Sequence, residues 1–278
     1  MNIMHKILSG LKTRYWKTEL PVVQYKLGGG QLKAIKGTIR TKPDKDDAWL
    51  FRLMGDFHFI YDIGANIGQS ALYAKIQNRD KQLLLVDANP EALSLAAKNL
   101  IINGWSGHCT FECAFVGERS HEKVQFFTVG AGAAGSMYKG HAHTAAAIGA
   151  STLVPTITLD DLWGKYGWLP EFVKIDVEGA EAKVLQGATQ LAAQQRTWFM
   201  VEMHSPPELP MKENASLVLH WCRRNSYRAW YMRDAAELTA PEQIQHRGRC
   251  HLLLMPQHEA YPEKLSLLAE NSPIPDNF

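Results

Sequence analysis

Tyr61-Asp62-Ile63-Gly64-Ala65-Asn66-Ile67-Gly68-Gln69-Ser70 is the stretch from which the fold is read. The apolar run Phe59–Ile63 fits a short buried strand, and Gly64 ends it. Beyond the turn, Ile67, Ala71 and Ala74 mark one face of a helix. A strand, a glycine turn and a helix in that order open a βαβ unit.

The rhythm continues outward. Leu83-Leu84-Leu85-Val86 is too short for a helix and suits a strand buried on both faces. Next, Asn89 is a cap, Pro90 a first helical residue and Gly104 a stop, with Leu93, Ala96, Ala97 and Leu100 on one face between them. A third strand is expected over Thr110 to Val116, an additional one over Lys123 to Val129, and a fourth over Phe172 to Val177. A helix then carries Val184, Ala188 and Leu191 on one face. Trp198 to Met203 follows as a strand, and a helix runs through Leu217, Val218, Trp221 and Cys222. Late strands fall around Ala229 to Met232 and Cys250 to Met255. This alternation predicts an α/β, doubly wound, mostly parallel sheet, with one late strand antiparallel because no helical crossover fits before it.

Residues 58–257 are read as that domain, with an N-terminal extension at 1–57 and a C-terminal tail at 258–278. The Gly/Ala/His segment 130–151 has no sustained period and is read as a lid or substrate loop.

Composition excludes more than it identifies. The 278 residues carry 30 Lys+Arg against 28 Asp+Glu, a net charge of +2 that argues against wholesale nucleic-acid binding. Cys109, Cys113, Cys222 and Cys250 make no CxxC pair or zinc spacing, so they read as thiols in a reducing, cytoplasmic setting. No apolar run is long enough to span a membrane. Residues 4–17 form a basic amphipathic pattern that suits packing on the domain, or peripheral contact with an anionic membrane surface.

The ends of parallel strands share one rim, where ligands bind. Gly64, Ala65, Asn66 and Gly68 form the first turn, and Asp87 ends the second strand, placed for ribose hydroxyls. A dinucleotide site would want three glycines for its pyrophosphate, which Asp62 would also repel. Asp62 suits the cationic S-adenosyl-L-methionine instead. An NAD(P)-dependent oxidoreductase and a non-catalytic cofactor-binding module are the rival readings.

DIGANIG, VDANPEAL, TLDDL, FVKIDVEGAE and VEMH, in that order, resemble the FkbM-type S-adenosylmethionine-dependent methyltransferases over roughly residues 55–204. The resemblance implies a seven-stranded Rossmann-like class I methyltransferase sheet. It also implies O-methylation of a sugar or natural-product hydroxyl, with a small-molecule acceptor as partner. The implied cofactor set is Asp62, Gly64, Ala65, Asn66, Gly68, Asp87, Ala88, Asn89, Cys113, Ala114 and Asp176, with adenine near Cys113 and Ala114.

Catalysis of such a transfer asks for alignment and a base. His204, with an ordinary pKa of about 6.5, is the expected base. Glu178 or Glu202 would orient it or act themselves. Asp176/Glu178 and Glu202/His204 would each point to one side, if their strands continue that far. Their donors suit magnesium or manganese, yet no compact ligand motif supports a metal, and none is assigned. Glu181 is assigned to the positive start of its helix. Asp160 and Asp161 are expected to start a short helix. His141 and His143 could meet an acceptor, though loop histidines are more often solvated. Trp221, Trp230 and Tyr231 are expected to pack.

Overall fold

The computed structural model describes residues 21–40, 42, 44–128, 135–138 and 150–276. The basic segment 4–17, His141, His143 and most of segment 130–151 lie outside them.

A hairpin, β1 (Val22–Leu27) and β2 (Gly30–Ile35), leads to helix α1 (Asp47–Asp56). Strand β3 (Phe59–Ile63), helix α2 (Gln69–Gln77), strand β4 (Gln82–Asp87), helix α3 (Pro90–Ile102) and strand β5 (Cys109–Cys113) follow. Then come β6 (Phe115–Val116), β7 (Lys123–Phe127), β8 (Ser151–Ile157), helix α4 (Leu159–Tyr166) and β9 (Phe172–Ile175). Helices α5 (Glu181–Gln186) and α6 (Thr189–Ala193) precede β10 (Trp198–His204), α7 (Met211–Asn225) and β11 (Tyr227–Tyr231). The chain closes with β12 (Ala236–Glu237), β13 (Arg249–Pro256) and helix α8 (Glu263–Ser266).

Among the described residues the main sheet runs β12-β11-β13-β10-β9-β3-β4-β5. From β10 to β5 every pairing is parallel, and β13 lies antiparallel to both β10 and β11. The sheet therefore has eight strands where seven were expected. The extra one, β12, is a two-residue ladder on the outer edge opposite Trp230 and Tyr231.

The expected third strand breaks at Ala114. Phe115 and Val116 leave the main sheet and join β8, which also pairs with β7 in a separate three-stranded sheet. Strand β8 had no clear sequence signal because Pro155 interrupts it. Pro155 sits at the end of the β7 ladder, and the β6 ladder begins after it at Thr156, so its missing N–H breaks neither. The single helix expected over Val184, Ala188 and Leu191 is two helices. All three residues are buried, but the Asp160 carboxylate accepts from the N–H groups of Gln190 and Leu191 and caps α6 separately. Asp160 and Asp161 lie in the first turn of α4, as expected, and Thr158 caps it.

The leucine run explains itself in the packing. Leu84 and Val86 join Val173, Ile175, Phe199 and Val201 under α5, α6 and α7. Leu83 and Leu85 face the opposite way, toward Leu32, Trp49, Leu53, Leu72 and Leu100. Each such side chain contributes about 1.5–3 kcal/mol by leaving water, which is why no polar alternation survives in the strand.

Residues 22–56 thus cover one face of the sheet. Helix α1 is buried at Asp47, Ala48, Trp49, Leu50, Phe51, Leu53 and Met54, and it keeps little polar face for periodicity to reveal. The chain after 257 also packs: Leu265 is buried, and the Trp49 indole N–H donates to the Leu268 carbonyl at 3.1 Å.

Candidate active site

The rim at the carboxyl ends of β3, β4 and β9 is built by backbone. Gly64 has φ +76°, and a Cβ there would lie 1.8 Å from the Asp176 carbonyl oxygen. Glycine alone fits that approach. The N–H groups of Gly64 and Ala65 both donate to the Val86 carbonyl, which fixes the turn against β4. Gly68 then caps α2. Asp87 closes the arrangement: its two carboxylate oxygens accept from the N–H groups of Asn66 and Asn89, each at 2.7 Å. Burial pushes the Asp87 carboxyl up to about 6, against the pull of those two donors. Asn89 meanwhile caps α3 through its own side chain.

A cleft opens beside this turn. Gly64, Asn66, Asp87, Ala88, Asn89, Ala114, Asp176 and Glu178 all line it, so much of the expected cofactor set converges there. Cys113 does not; its side chain is exposed beside the cleft. Sequence reading missed Phe115 and Phe126, which supply apolar wall where the third strand crosses to the smaller sheet. A second cleft shares Gly64, Asn66 and Asp176 with the first. Ala65 and Glu202 border that one, with Arg40, Asp46, Tyr73 and Lys174.

Asp62 sits elsewhere than expected. It is buried beneath the turn, accepts from the Ser70 hydroxyl, and lines neither cleft. Its charge is met by Lys174, whose ammonium lies 3.4 Å from Asp62 and 3.3 Å from Asp176 and donates to the Gly64 carbonyl at 2.8 Å. Burial works to lower the Lys174 pKa, but Asp176, Asp62 and Glu202 outweigh it and raise it. The acid that faces both clefts is Asp176. Lys174 was missed, although a lysine inside the apolar run Phe172–Ile175 is itself a signal, because a buried cation demands partners.

His204 also differs from expectation. It ends β10, is buried, and offers both ring nitrogens to carboxylates: Nδ1 to Glu181 at 2.9 Å and Nε2 to Glu178 at 3.3 Å. A carboxylate facing each ring nitrogen favours the imidazolium, with one N–H toward each. Burial disfavours that charge, but the hydrogen bond from Glu181 and the charges of Glu181, Glu178 and Asp176 push the pKa up to about 10. A ring held as an imidazolium has no free nitrogen to take a proton, which argues against His204 as the base.

Glu181 does more than balance a helix start. It is fully buried and bound by His204, by the Gly179 N–H and by the Asn214 amide. Since β9 ends at Ile175, Asp176 and Glu178 are not a strand pair; Glu178 turns at φ +55° to reach His204. Glu202 and His204 do share one side of β10, with His204 Nε2 3.7 Å from Glu202. Glu202 is ion-paired to Arg249 at 3.0 Å. Asp176, Glu202 and His204 bring donor atoms within 4.8 Å of one another, as do Asp46, Glu202 and His251. In the first group, His204 already faces Glu178 and Glu181. Trp221 and Tyr231 pack in the core, and Trp230 packs against the other face.

Residues 62–229 match the family model of the methyltransferase FkbM domain, which is more than half of the chain. No curated protein matches the chain. Solved structures similar at low identity include these three. An FkbM methyltransferase from Methylobacillus flagellatus is 14% identical, with 79% of this chain and 45% of that one covered and a TM-score of 0.45. TYW2 from P. horikoshii, in complex with MeSAdo, is 12% identical over 85% and 70% of the two chains, TM-score 0.46. A SAM-dependent methyltransferase from Agrobacterium tumefaciens is 10% identical over 86% and 71%, TM-score 0.45. This chain thus spans under half the length of the Methylobacillus protein. Its own strand order, and not these distant superpositions, defines its fold. No described helix is long and apolar enough to cross a membrane.

Proposed function

The chain belongs to the FkbM methyltransferase family, and on that premise we propose that it moves the methyl group of S-adenosyl-L-methionine to a hydroxyl of a sugar or another small polar metabolite. The observation that carries the reading is Asp87, whose two oxygens are fixed by the Asn66 and Asn89 N–H groups at the mouth of the glycine turn. A carboxylate so held keeps lone pairs for a ribose diol and needs no rearrangement to receive it.

The donor set fits this cofactor. Asp87 would take the ribose, and the apolar wall of Ala114, Phe115 and Phe126 suits a flat base. At Gly64 a Cβ would meet the Asp176 carbonyl, so glycine lets the turn pack on the end of β9 at the edge of the cleft. Asp176, at the junction of the two clefts, would meet the cationic end. When bound, the cofactor supplies an activated methyl on a cationic sulfur.

The chain's residues align the acceptor and handle its proton. The second cleft, with Arg40, Tyr73, Lys174 and Glu202 in its wall, offers donors and acceptors to a polyhydroxylated molecule. Glu178 faces the first cleft and is held by the His204 imidazolium, and we assign it to receive the hydroxyl proton at its carboxylate. We take residues 58–257 as the unit that holds the cofactor, with Arg40 from the preceding segment joining it at the second cleft. Calorimetry with S-adenosylhomocysteine tests the cofactor half: one saturable site is expected in the wild type and loss of it in Asp87→Ala. Binding of NADH in its place would overturn the reading. Labelled methyl transfer across a panel of sugars and hydroxylated metabolites tests the other half.

A further inference from the structure

Glu202 and His251 are register partners across β10 and β13, and Asp46 at the start of α1 comes down over them. All three are buried, and His251 is 1% exposed. Neither ring nitrogen of His251 has a hydrogen-bond partner. The nearest carboxylate oxygens to Nε2 are Glu202 Oε2 at 3.7 Å and Asp46 Oδ2 at 3.9 Å, too far for an N–H···O bond. Asp46 occupies the N-cap of α1 yet makes no capping hydrogen bond, so it does not satisfy the helix there. An imidazole taken out of water with two carboxylates near Nε2 but a hydrogen bond on neither nitrogen is unfavourable unless something sits between it and the acids.

The spacing indicates what fits. The three donor atoms lie within 4.8 Å of one another. A point equidistant from all three is then roughly 2.0–2.5 Å from each, the span of metal–nitrogen and metal–oxygen bonds. Charge agrees. Arg40 pairs with Asp44 and Asp47, and Arg249 with Asp44 and Glu202. With Asp46 added, four carboxylates meet two guanidiniums, an excess of two negative charges. Arg249 takes Glu202 Oε1, while Oε2 is the oxygen toward His251.

We propose that Asp46, Glu202 and His251 form a binding site for a divalent transition-metal ion, Mn²⁺ or Zn²⁺. One imidazole with two carboxylates suits these ions better than Mg²⁺, which favours oxygen alone. Asp46 and Glu202 also border the second cleft, so coordination positions left by the protein open toward it and would take an oxygen of a bound molecule. The proposal stands apart from the methyl-transfer reading, because metal binding is measured with no methyl donor present.

Metal-free protein is titrated with MnCl₂ and followed by electron paramagnetic resonance. The expected result is one Mn²⁺ per chain, with ¹⁴N modulation from an imidazole ligand in the pulsed spectrum. His251→Gln abolishes that modulation and weakens binding at least about tenfold. Asp46→Asn weakens it comparably, and it carries the test if His251→Gln does not fold by circular dichroism. ZnCl₂ displaces the bound Mn²⁺. Absence of a saturable site up to millimolar metal would overturn the proposal, since a bridging water then accounts for the gap. Unchanged binding in the two variants would overturn it equally.

Discussion

Lys174 and Asp62 are register partners on adjacent parallel strands, and the ammonium of one lies 3.4 Å from the carboxylate of the other beneath the glycine turn of the candidate site. Both Asp62 and Asp176 pair with Lys174, but Asp62 lies under the turn with Ser70, and Asp176 is the one of the two that lines both clefts.

Removing Lys174 leaves Asp62 buried without its cation. Lys174→Met is expected to cost about 3–5 kcal/mol, the usual penalty for breaking a buried ion pair from one side. Urea unfolding measures it. Lys174→Met combined with Asp62→Asn recovers part of the loss, because no unpaired charge then remains at Asp62.

The glycine turn has a single steric test. Gly64→Ala drives a methyl group into the Asp176 carbonyl and demands a positive φ of a residue with a side chain. Affinity for S-adenosylhomocysteine is expected to fall at least about tenfold, with a lower thermal midpoint. Wild-type affinity in this variant would mean that the turn does not cradle the cofactor.

Cofactor binding should track the ionisation of Asp87. Its carboxyl sits at about 6, so the anion that receives ribose hydroxyls prevails above that pH and is lost below it. Affinity for S-adenosylhomocysteine is expected to be constant from pH 7 to 8 and to weaken between pH 6.5 and 5. Asp87→Asn binds roughly 10- to 100-fold more weakly, matching one charge-assisted hydrogen bond, and loses the pH dependence. Calorimetry across the pH series reads both.

His204 makes the opposite prediction for stability. Its pKa is raised from 6.5 to about 10, so its stabilisation is complete below pH 6.5 and is lost as pH rises through 10. His204→Gln is expected to cost about 3 kcal/mol or more at pH 6, with Glu181 left buried. The gap between the two proteins should close steadily at pH 8 and pH 9.5. A gap independent of pH would show that the ring is not the charged centre of the cluster.

How much of this was legible in sequence follows from the range of each signal. The Asn89–Pro90 helix start, the glycine turn and the apolar run Leu83–Val86 were readable because each is set by neighbours in the chain. Helix α1 escaped notice because nearly all of it is buried, which removes the polar face that periodicity needs. Strand β8 escaped because Pro155 stands between two ladders whose existence no local pattern reveals.

The sequence alone determined a doubly wound parallel sheet, its family, and a rim of acids after the strands. All of these rest on local alternation and short motifs. Only the tertiary structure decided what state those acids and histidines are in. Asp62 faces the cofactor or hides under Lys174, and His204 accepts a proton or already holds one, according to which distant groups the sheet brings within a few ångströms. His251 likewise acquires its meaning from Asp46 and Glu202. The physical reason is that charge and protonation are set by burial and through-space partners, and neither has a period along the chain.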